Sequence, residues 1–540
     1  WVNKGIRLLR EEGLKYNPRA VRLYRELSWI FYHKMGQYSD DVQWYYKTRL
    51  AREWQELLGA YSQGWEQEQV ADWFRKINEA PDELTADDGT GLLQKNAKVA
   101  EVLALLKEAE TPYEIETGTA AQKQQQRERM LRAFGKVLMY NYTPRLEDLS
   151  FNIREQPANY DTAVLKILLK PELREPVAAL LQHLRKRVLI DNYNMQPRDI
   201  LELVELFGPI DLRHPAAHGM YWGHLGIRAM TDTKSKDRID YINTLRQRIH
   251  TMQDFTDSGR IFFDPNVSFD DPQRRPLVLS NDVRFIESYK KAVEFAESEL
   301  SKAESPDNAP YKTGYENFLK KATLYWLFAG DKERSRQYYN EARERFGNEE
   351  HNKLSGYYNR SYEENVMDEM NELMQNMEEA GNFVTNVIGQ ALASLETGNM
   401  EESQVLLRWA RRAHETYQKS MAGGTGLSPG QARMQLPPFD QIVNTTLVNN
   451  MLGIGIRRPL EFRIRMWRSL PLELKQRVFD FIKPRLYQEA TDAGLDPARA
   501  FPEPENMAEY RKANPKELEL IKPQENPLGP TKAPLSPLKP

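Results

Sequence analysis

Three stretches of this chain interrupt a helical pattern with one device: a glycine, a polar residue, then a second amphipathic run. They are Met35-Gly36-Gln37-Tyr38, Ala329-Gly330-Asp331-Lys332 and Thr397-Gly398-Asn399-Met400. Glycine stops a helix because it adopts the left-handed conformation that satisfies the last carbonyls. Two helices joined so tightly pack antiparallel on each other. One pair cannot bury its apolar faces alone, so recurring pairs stack into a solenoid. The fold class expected from this pattern is all-α: an interrupted α-solenoid of helical hairpins. It carries one small β-hairpin insertion and an extended C-terminal tail.

The local patterns fill in this frame. Val21, Tyr24, Leu27, Ser28 and Phe31 share one helix face. Asn17-Pro18 before them predicts an N-cap followed by proline at the first helical position. Gly36 ends that helix, and the next runs through Trp44, Tyr45 and Leu50. The aromatics Trp29, Tyr32, Trp44, Tyr45 and Tyr46 are expected mainly in the core between repeats. The second hairpin is predicted from helices over 318–329 and 334–346, the third from helices over 387–395 and 402–417. Each places a small residue five and twelve positions after its glycine, Ser335 and Ala342 in one, Ser403 and Ala410 in the other. Small residues there let two helices approach closely.

With these positions, the hairpins resemble tetratricopeptide repeats. Gly330, Ser335, Tyr339 and Ala342 fall on that pattern, as do Ala391, Gly398, Ser403, Leu407 and Ala410. The first hairpin departs from it, because Asp41 stands where a small residue is expected. A longer resemblance rests on Gly5-Ile-Arg-Leu-Leu-Arg-Glu-Glu-Gly13, Leu23-Tyr-Arg-Glu-Leu27 and Phe207-Gly-Pro-Ile-Asp-Leu-Arg213 with Ala217-His218. These phrases are similar to a large helical family of planctomycete-type bacteria without an assigned activity. The resemblance implies repeat-like helices, an envelope-associated or scaffold role and, in some members, an apolar N-terminal segment.

The expected organisation runs as follows. Residues 1–79 form repeat-like hairpins, and 80–118 an acidic exposed loop with a connecting helix. The connecting helix lies near 94–110, and residues 119–257 form a helical middle without repeats, with helices near 120–140, 163–189, 199–206, 215–230 and 236–256. Arg260-Ile-Phe-Phe-Asp264 and Pro276-Leu-Val-Leu-Ser280 are short, apolar and bounded by turn formers, so 258–282 reads as a β-hairpin. Two strands are marginal by themselves, so this hairpin must lean on helices. Repeat-like hairpins return over 283–421, followed by a glycine-rich linker over 422–438 and basic helices over 439–500. The proline-rich 501–540 holds too few apolar anchors to fold alone and is expected to lie extended along another surface.

Composition excludes several function classes. The net charge is −3 and no cysteine occurs. A near-neutral chain offers no global field to nucleic acid. Without thiols there are no disulfides, cysteine nucleophiles, thiolate zinc sites or iron–sulfur clusters. No run of about 18 apolar residues is present, so nothing reads as a membrane span. Because the first residues already read as mid-helix, the sequence is expected to begin inside a longer protein. A membrane or envelope association would then come from a segment before Trp1, and the compartment stays open.

The candidate chemistry is sparse. Of eight histidines, His214 and His218 are spaced four apart at a helix start, the spacing with which two imidazoles share a metal. The glutamate of a metalloprotease motif is absent, and His224 falls off that face. Gly219, Gly223 and Gly226 follow on the same helix, and close approach of a neighbouring helix is the favoured reading of this segment. The loop over 423–430 lacks the lysine and strand of a P-loop, and Gly453-Ile-Gly455 is a fragment of a dinucleotide fingerprint. The pairs Glu363-Glu364, Glu378-Glu379 and Glu401-Glu402 read as solvated helix faces. Met367, Met370, Met374 and Met377 form a stripe on one predicted helix, either a packing seam or a partner groove. A basic run comprises Arg457, Arg458, Arg463, Arg465, Arg468, Lys475, Arg477, Lys483 and Arg485, interleaved with Phe462, Trp467, Phe479 and Phe481. The methionines and Arg457, Arg458, Arg463, Arg465 and Arg468 are the candidate partner-binding residues.

The sequence therefore points to a non-catalytic scaffold or structural subunit in a larger assembly. It calls for no cofactor, no catalytic residue and no nucleic acid. Its partners are proteins, including further copies of itself in an oligomer or filament. Two alternatives remain open: an enzyme with a site around His214–His224, and a peripheral membrane scaffold using the basic segment 457–485.

Overall fold

A computed structural model describes residues 2–37, 42–59, 65–109, 112–139, 161–232, 238–263, 276–301, 309–329, 331–373, 377–396, 400–421, 435–452 and 460–514. The chain divides into two compact units, Trp1–Asn386 and Val387–Pro540. Among the described residues the fold is all-helical apart from one two-stranded antiparallel hairpin.

The first unit opens with short helical turns and then α1 (Val21–Trp29), which widens into a π-helical segment over Ile30–Met35. The start of α1 corrects the sequence reading. Asn17 donates its backbone and side-chain N–H groups to the Gly13 carbonyl, at 2.9 and 3.3 Å, so it closes the preceding turn. Ala20 is the residue that opens α1. Next come α2 (Gln43–Leu58) and α3 (Gln67–Glu79). Glu66 and Gln69 cap α3 reciprocally, each side chain accepting the other's backbone N–H. The chain continues through α4 (Val99–Lys107) and α5 (Ala120–Met139). The single helix expected over 163–189 is broken. Thr162–Leu168 ends before Pro171, and α6 (Arg174–Tyr193) starts after a 3-10 turn. Proline disfavours helical backbone at the residue before it, and Lys170 is extended.

Asn194, at a φ of 48°, closes α6, and α7 (Pro197–Phe207) carries the proline at its first position that favours a helix start. Gly208, at a φ of 107°, then turns the chain toward α8 (Pro215–Asp232) and α9 (Arg238–Ser258). The expected hairpin follows as β1 (Arg260–Phe263) paired with β2 (Leu277–Ser280), Arg260 opposite Ser280 and Phe263 opposite Leu277. Its alternating face of Ile261, Phe263, Leu277 and Leu279 packs on Ala51 of α2 and Met139 of α5, with Trp44 alongside. That support is what two strands require. Its connecting loop lies outside the described residues.

Four helices complete this unit: α10 (Ile286–Ser301), α11 (Ala309–Phe328), α12 (Lys332–Phe346) and α13 (Tyr362–Leu373). They pack in chain order, α9 on α10, α10 on α11, and α11 on both α12 and α13. The hairpin of α11 and α12 is the second one expected, although Gly330 itself lies outside the described residues. Asp331 caps α12 by accepting the Arg334 N–H at 2.9 Å. Ser335 and Ala342 are buried, as close approach demands. Ser335 Oγ lies 2.6 Å from both the Thr323 carbonyl on α11 and the Tyr362 hydroxyl on α13, tying three successive helices together.

Helix α14 (Met377–Glu396) runs into the second unit, which holds α15 (Met400–Met421), α16 (Phe439–Leu452), α17 (Leu460–Ser469) and α18 (Leu472–Asp492). Ala391, Ser403 and Ala410 are buried, while the turn at Gly398 lies outside the described residues. Helix α16 packs on α17 and α18. The segment after α18 departs from the extended tail expected over 501–540. Short helices Pro497–Ala500 and Met507–Ala513 form, Phe501 and Met507 are buried, and Arg511 pairs with Asp480 on α18. Trp467 Nε1 donates to the Pro502 carbonyl at 3.1 Å. Two apolar anchors and the ion pairs of Arg511 with Asp480 and of Glu503 with Lys483 fold this stretch back, and 515–540 lies outside the described residues.

Candidate functional site

The histidine segment sits between α7 and α9, preceded by a turn that organises it. Asp211 and Arg213 form a fully buried pair, with Arg213 Nη2 2.7 Å from Asp211 Oδ2. The Arg213 backbone N–H also donates to Asp211 Oδ1 at 2.9 Å, and Nη1 reaches Gln55 Oε1 on α2 at 2.8 Å. Asp282 and Arg284 repeat this Asp-x-Arg arrangement after β2, with Arg284 Nε 2.8 Å from Asp282 Oδ1. Each carboxylate thus satisfies both a backbone donor and a guanidinium, the condition under which charge is tolerated away from water.

From this turn α8 presents its histidines inward. The Ala216 N–H donates to His214 Nδ1 at 3.0 Å, which places the ring proton on Nε2, 3.2 Å from Ser258 Oγ. His218 Nε2 donates to the Leu212 carbonyl at 2.8 Å, and its ring lies between Phe31 and Trp54, both at 4.6 Å. Burial pushes both histidines down to about 3, so both rings are neutral at ordinary pH. His224 is elsewhere, 3.2 Å from Glu202 and edge-on to Phe207. Among the described residues no three His, Asp or Glu side chains group so as to hold a metal ion.

The glycines of α8 take the role predicted for them. A Cβ on Gly219 would lie 3.0 Å from Thr251 and 3.3 Å from Tyr32, one on Gly223 3.2 Å from Ser28, and one on Gly226 3.1 Å from Tyr24. Three glycines therefore form the groove into which Tyr24, Ser28 and Tyr32 settle. Ser28 Oγ donates to the Gly219 carbonyl at 2.8 Å, a bond possible only at this distance.

The other candidates fall in several places. Met367 and Met370 lie on α13, whereas Met377 opens α14, and Met374 lies outside the described residues. Residues 374–376 lie outside the described residues, and of the others Met370 is buried and Met367 and Met377 are half-buried. Arg457 and Arg458 also lie outside the described residues. Arg463 is only 3% exposed, donating to the Met451 carbonyl at 2.9 Å and to Glu489, so it is an internal cross-link in place of a partner contact. Arg465 and Arg468 are exposed. Arg477, Lys483 and Arg485 meet Asp440, Glu503 and Glu489 within 3.4 to 3.8 Å. Phe479 and Trp467 stack inside the unit. Trp29 and Tyr45, expected in the core, are exposed, and the aromatic core is built instead on residues such as Trp54, Phe74, Tyr221 and Trp222.

The sequence reading missed the charges that the fold takes inside. Lys47 is 1% exposed, in the interior that also holds Ala51 and Trp54. Lys47 shares one helical stripe with Trp44, Ala51 and Trp54, and that single charge on an apolar face was the available signal. Arg185 is buried against Trp73, its centre 4.6 Å from the ring, and donates to the Leu57 carbonyl at 3.1 Å. Burial lowers it to about 9. Glu316 on α11 is another, bonded to Asn352 and His351, both at 2.9 Å.

Compared with known proteins, the chain matches no family model, no curated protein and no solved structure. The fold and the geometry above define an all-helical protein of repeat-like character in which His214, His218, Arg213 and Arg463 are bonded inside its own core. Among the described residues no helix is long and apolar enough to cross a membrane.

Proposed function

We propose that this protein is a scaffold subunit that assembles other proteins, built on stacked helical hairpins of tetratricopeptide-like character. The observation that carries this reading is the chain-order packing of α9 through α12, with α13 returning onto α11 and locked to it through Ser335. An array in which each helix is held by helices close to it in the chain spends its interior on itself and leaves long outer faces to partners. The histidine segment supports the same reading, since His214 and His218 already bond to protein groups.

The test is affinity capture from native extract with the full chain as bait, alongside the sedimentation behaviour of the purified chain. The reading expects a partner retained at fixed stoichiometry through a salt wash, or concentration-dependent self-association. A chain that stays monomeric and retains nothing overturns it. So does a stoichiometric metal in the purified protein that is lost in His218→Ala, since that would make the segment a metal site.

A further inference from the structure

The helical stretch Val2–Tyr16 has one side packed and one side open. Ile6, Arg10 and Leu14, spaced four apart along it, are buried. Lys4, Leu8, Glu12 and Tyr16 run in a second line of the same spacing, two residues out of step, and all four are exposed. Two residues are about half a helical turn, so this line points away from the fold. We propose that this face docks on the surface of an anionic lipid bilayer, with Leu8 and Tyr16 entering the interface and the cations around them meeting the headgroups. This goes beyond the scaffold reading and stands independently of it.

The apolar members of the open line are unusually bare. Tyr16 is 71% exposed and Leu8 63%, and among the described large apolar residues only Leu354 is more exposed. A single exposed leucine is ordinary. Here two large apolar side chains stand about two turns apart on one line, so a flat surface meets both at once. Tyrosine suits the boundary of a bilayer, since its ring enters the apolar layer while its hydroxyl stays wet.

Charge supplies the second, independent observation. Residues 2–22 hold six cations, Lys4, Arg7, Arg10, Lys15, Arg19 and Arg22, against Glu11 and Glu12, a net +4 in a chain whose total is −3. Arg10 is buried over the Tyr193 ring, and the other five cations are exposed. Glu11 is shared between two of the six, accepting from Arg10 at 2.9 Å and lying 3.5 Å from Arg7. Glu12 is therefore the one exposed acid in this stretch. Lysine and arginine lay their apolar stems along a bilayer while their heads reach the phosphates. Each such cation strengthens binding to an anionic leaflet about fivefold.

The combination decides the occupant. A second copy docked through the same face would bring cations against cations. Nucleic acid would engage the cations but leave Leu8 without an apolar partner. An acidic protein would need an apolar patch set among its carboxylates to match both features. An anionic bilayer carries both everywhere on its surface: phosphates for Lys4, Arg7, Lys15, Arg19 and Arg22, and an acyl boundary beneath them for Leu8 and Tyr16. This is the arrangement of a helix lying in the plane of the interface.

The experiment is co-sedimentation of the full chain with vesicles of phosphatidylcholine alone and with about 30% phosphatidylserine added. The proposal expects binding to the anionic vesicles that weakens as salt rises, and binding to the neutral ones weaker by about tenfold or more. Lys15→Gln with Arg19→Gln should weaken it about 25-fold, at fivefold for each cation. Leu8→Ser with Tyr16→Ser should weaken it about tenfold although the charge is unchanged. Arg465→Gln with Arg468→Gln, in the second unit, should leave it as in wild type. The substituted residues are all exposed, so each variant should melt as wild type does. Absence of binding to the anionic vesicles overturns the proposal, as does binding that the Lys15 and Arg19 substitutions leave unchanged. Loss of binding in the Arg465 and Arg468 variant alone overturns the assignment to this face. Polyglutamate bound as tightly as the vesicles, with Leu8→Ser and Tyr16→Ser without effect on either, overturns the bilayer as occupant in favour of an acidic protein.

Discussion

Gly135→Ala should destabilise the first unit although it improves the local helix. Helix α5 crosses α2 with Gly135 against the backbone of Glu56. A Cβ there would lie 1.8 Å from the Glu56 carbonyl oxygen, 2.7 Å from its carbon and 3.0 Å from its Cα. Ordinary carbon–oxygen contacts begin near about 3.3 Å, so the two helices must part by roughly 1.5 Å. No rotamer change relieves this, because the obstacle is main chain. Parting the helices also loosens the pairs of Arg132 with Glu56 and Glu53, at 3.1 and 3.6 Å. Overpacking of this kind costs about 3 kcal/mol or more, against a helix-propensity gain of about 1 kcal/mol. The net loss is therefore at least about 2 kcal/mol. Gly314→Ala on α11 is the control, since its Cβ would meet nothing within 4 Å. It should gain about 1 kcal/mol. Urea unfolding followed by circular dichroism reads both variants, and hydrogen exchange on α2 and α5 locates the effect. An unfolding midpoint for Gly135→Ala equal to or above wild type would refute the close crossing.

Stability should fall as pH drops from about 6.5 to 4.5. Burial lowers His214 and His218 to about 3 in the folded chain from an ordinary 6.5, and also lowers His183, His224 and His250. The unfolded chain takes up protons in this window and the folded chain does not, so acid favours unfolding. The loss by pH 4.5 is about 2–3 kcal/mol for each of His214 and His218. Glu369, raised by burial, acts in the opposite direction. A flat stability profile over that window would contradict the neutral buried rings, as would an unchanged slope in His214→Asn. In the second unit, Arg463→Ala should cost about 2 kcal/mol by leaving the Met451 carbonyl without its donor and Glu489 with Arg485 alone, whereas Arg465→Ala should change thermal stability by less than about 0.5 kcal/mol. Equal melting shifts in the two variants would rule out the internal role of Arg463.

The elements legible in the sequence are those whose cause is local. The hairpin of α11 and α12 follows from helical periodicity with an Asp331 cap and small residues at Ser335 and Ala342. The β-hairpin follows from two alternating apolar runs between turn formers. Three glycines spaced along α8 announce the close approach of α1 before any partner helix is known. Where local signals compete, the reading slips. Asn17 can cap the helix after it or close the turn before it, and only the carbonyl of Gly13 decides between them.

The candidate sites were far less legible, because a side chain's role depends on what the rest of the chain brings to it. The basic segment looks like a charged face when its acids are counted along the sequence. The fold delivers Asp440, Glu489 and Glu503 to it, and buries Arg463. A groove lined by Trp29 of α1 and by Asn243 and Gln247 of α9 is built from residues more than two hundred positions apart, so neither helix alone announces it. Periodicity acts over a few residues, so the sequence by itself determined most of the helices and their close-packing faces. Charge pairing acts through space, so only the tertiary structure decided which polar residues are spent on the core and which stay at the surface.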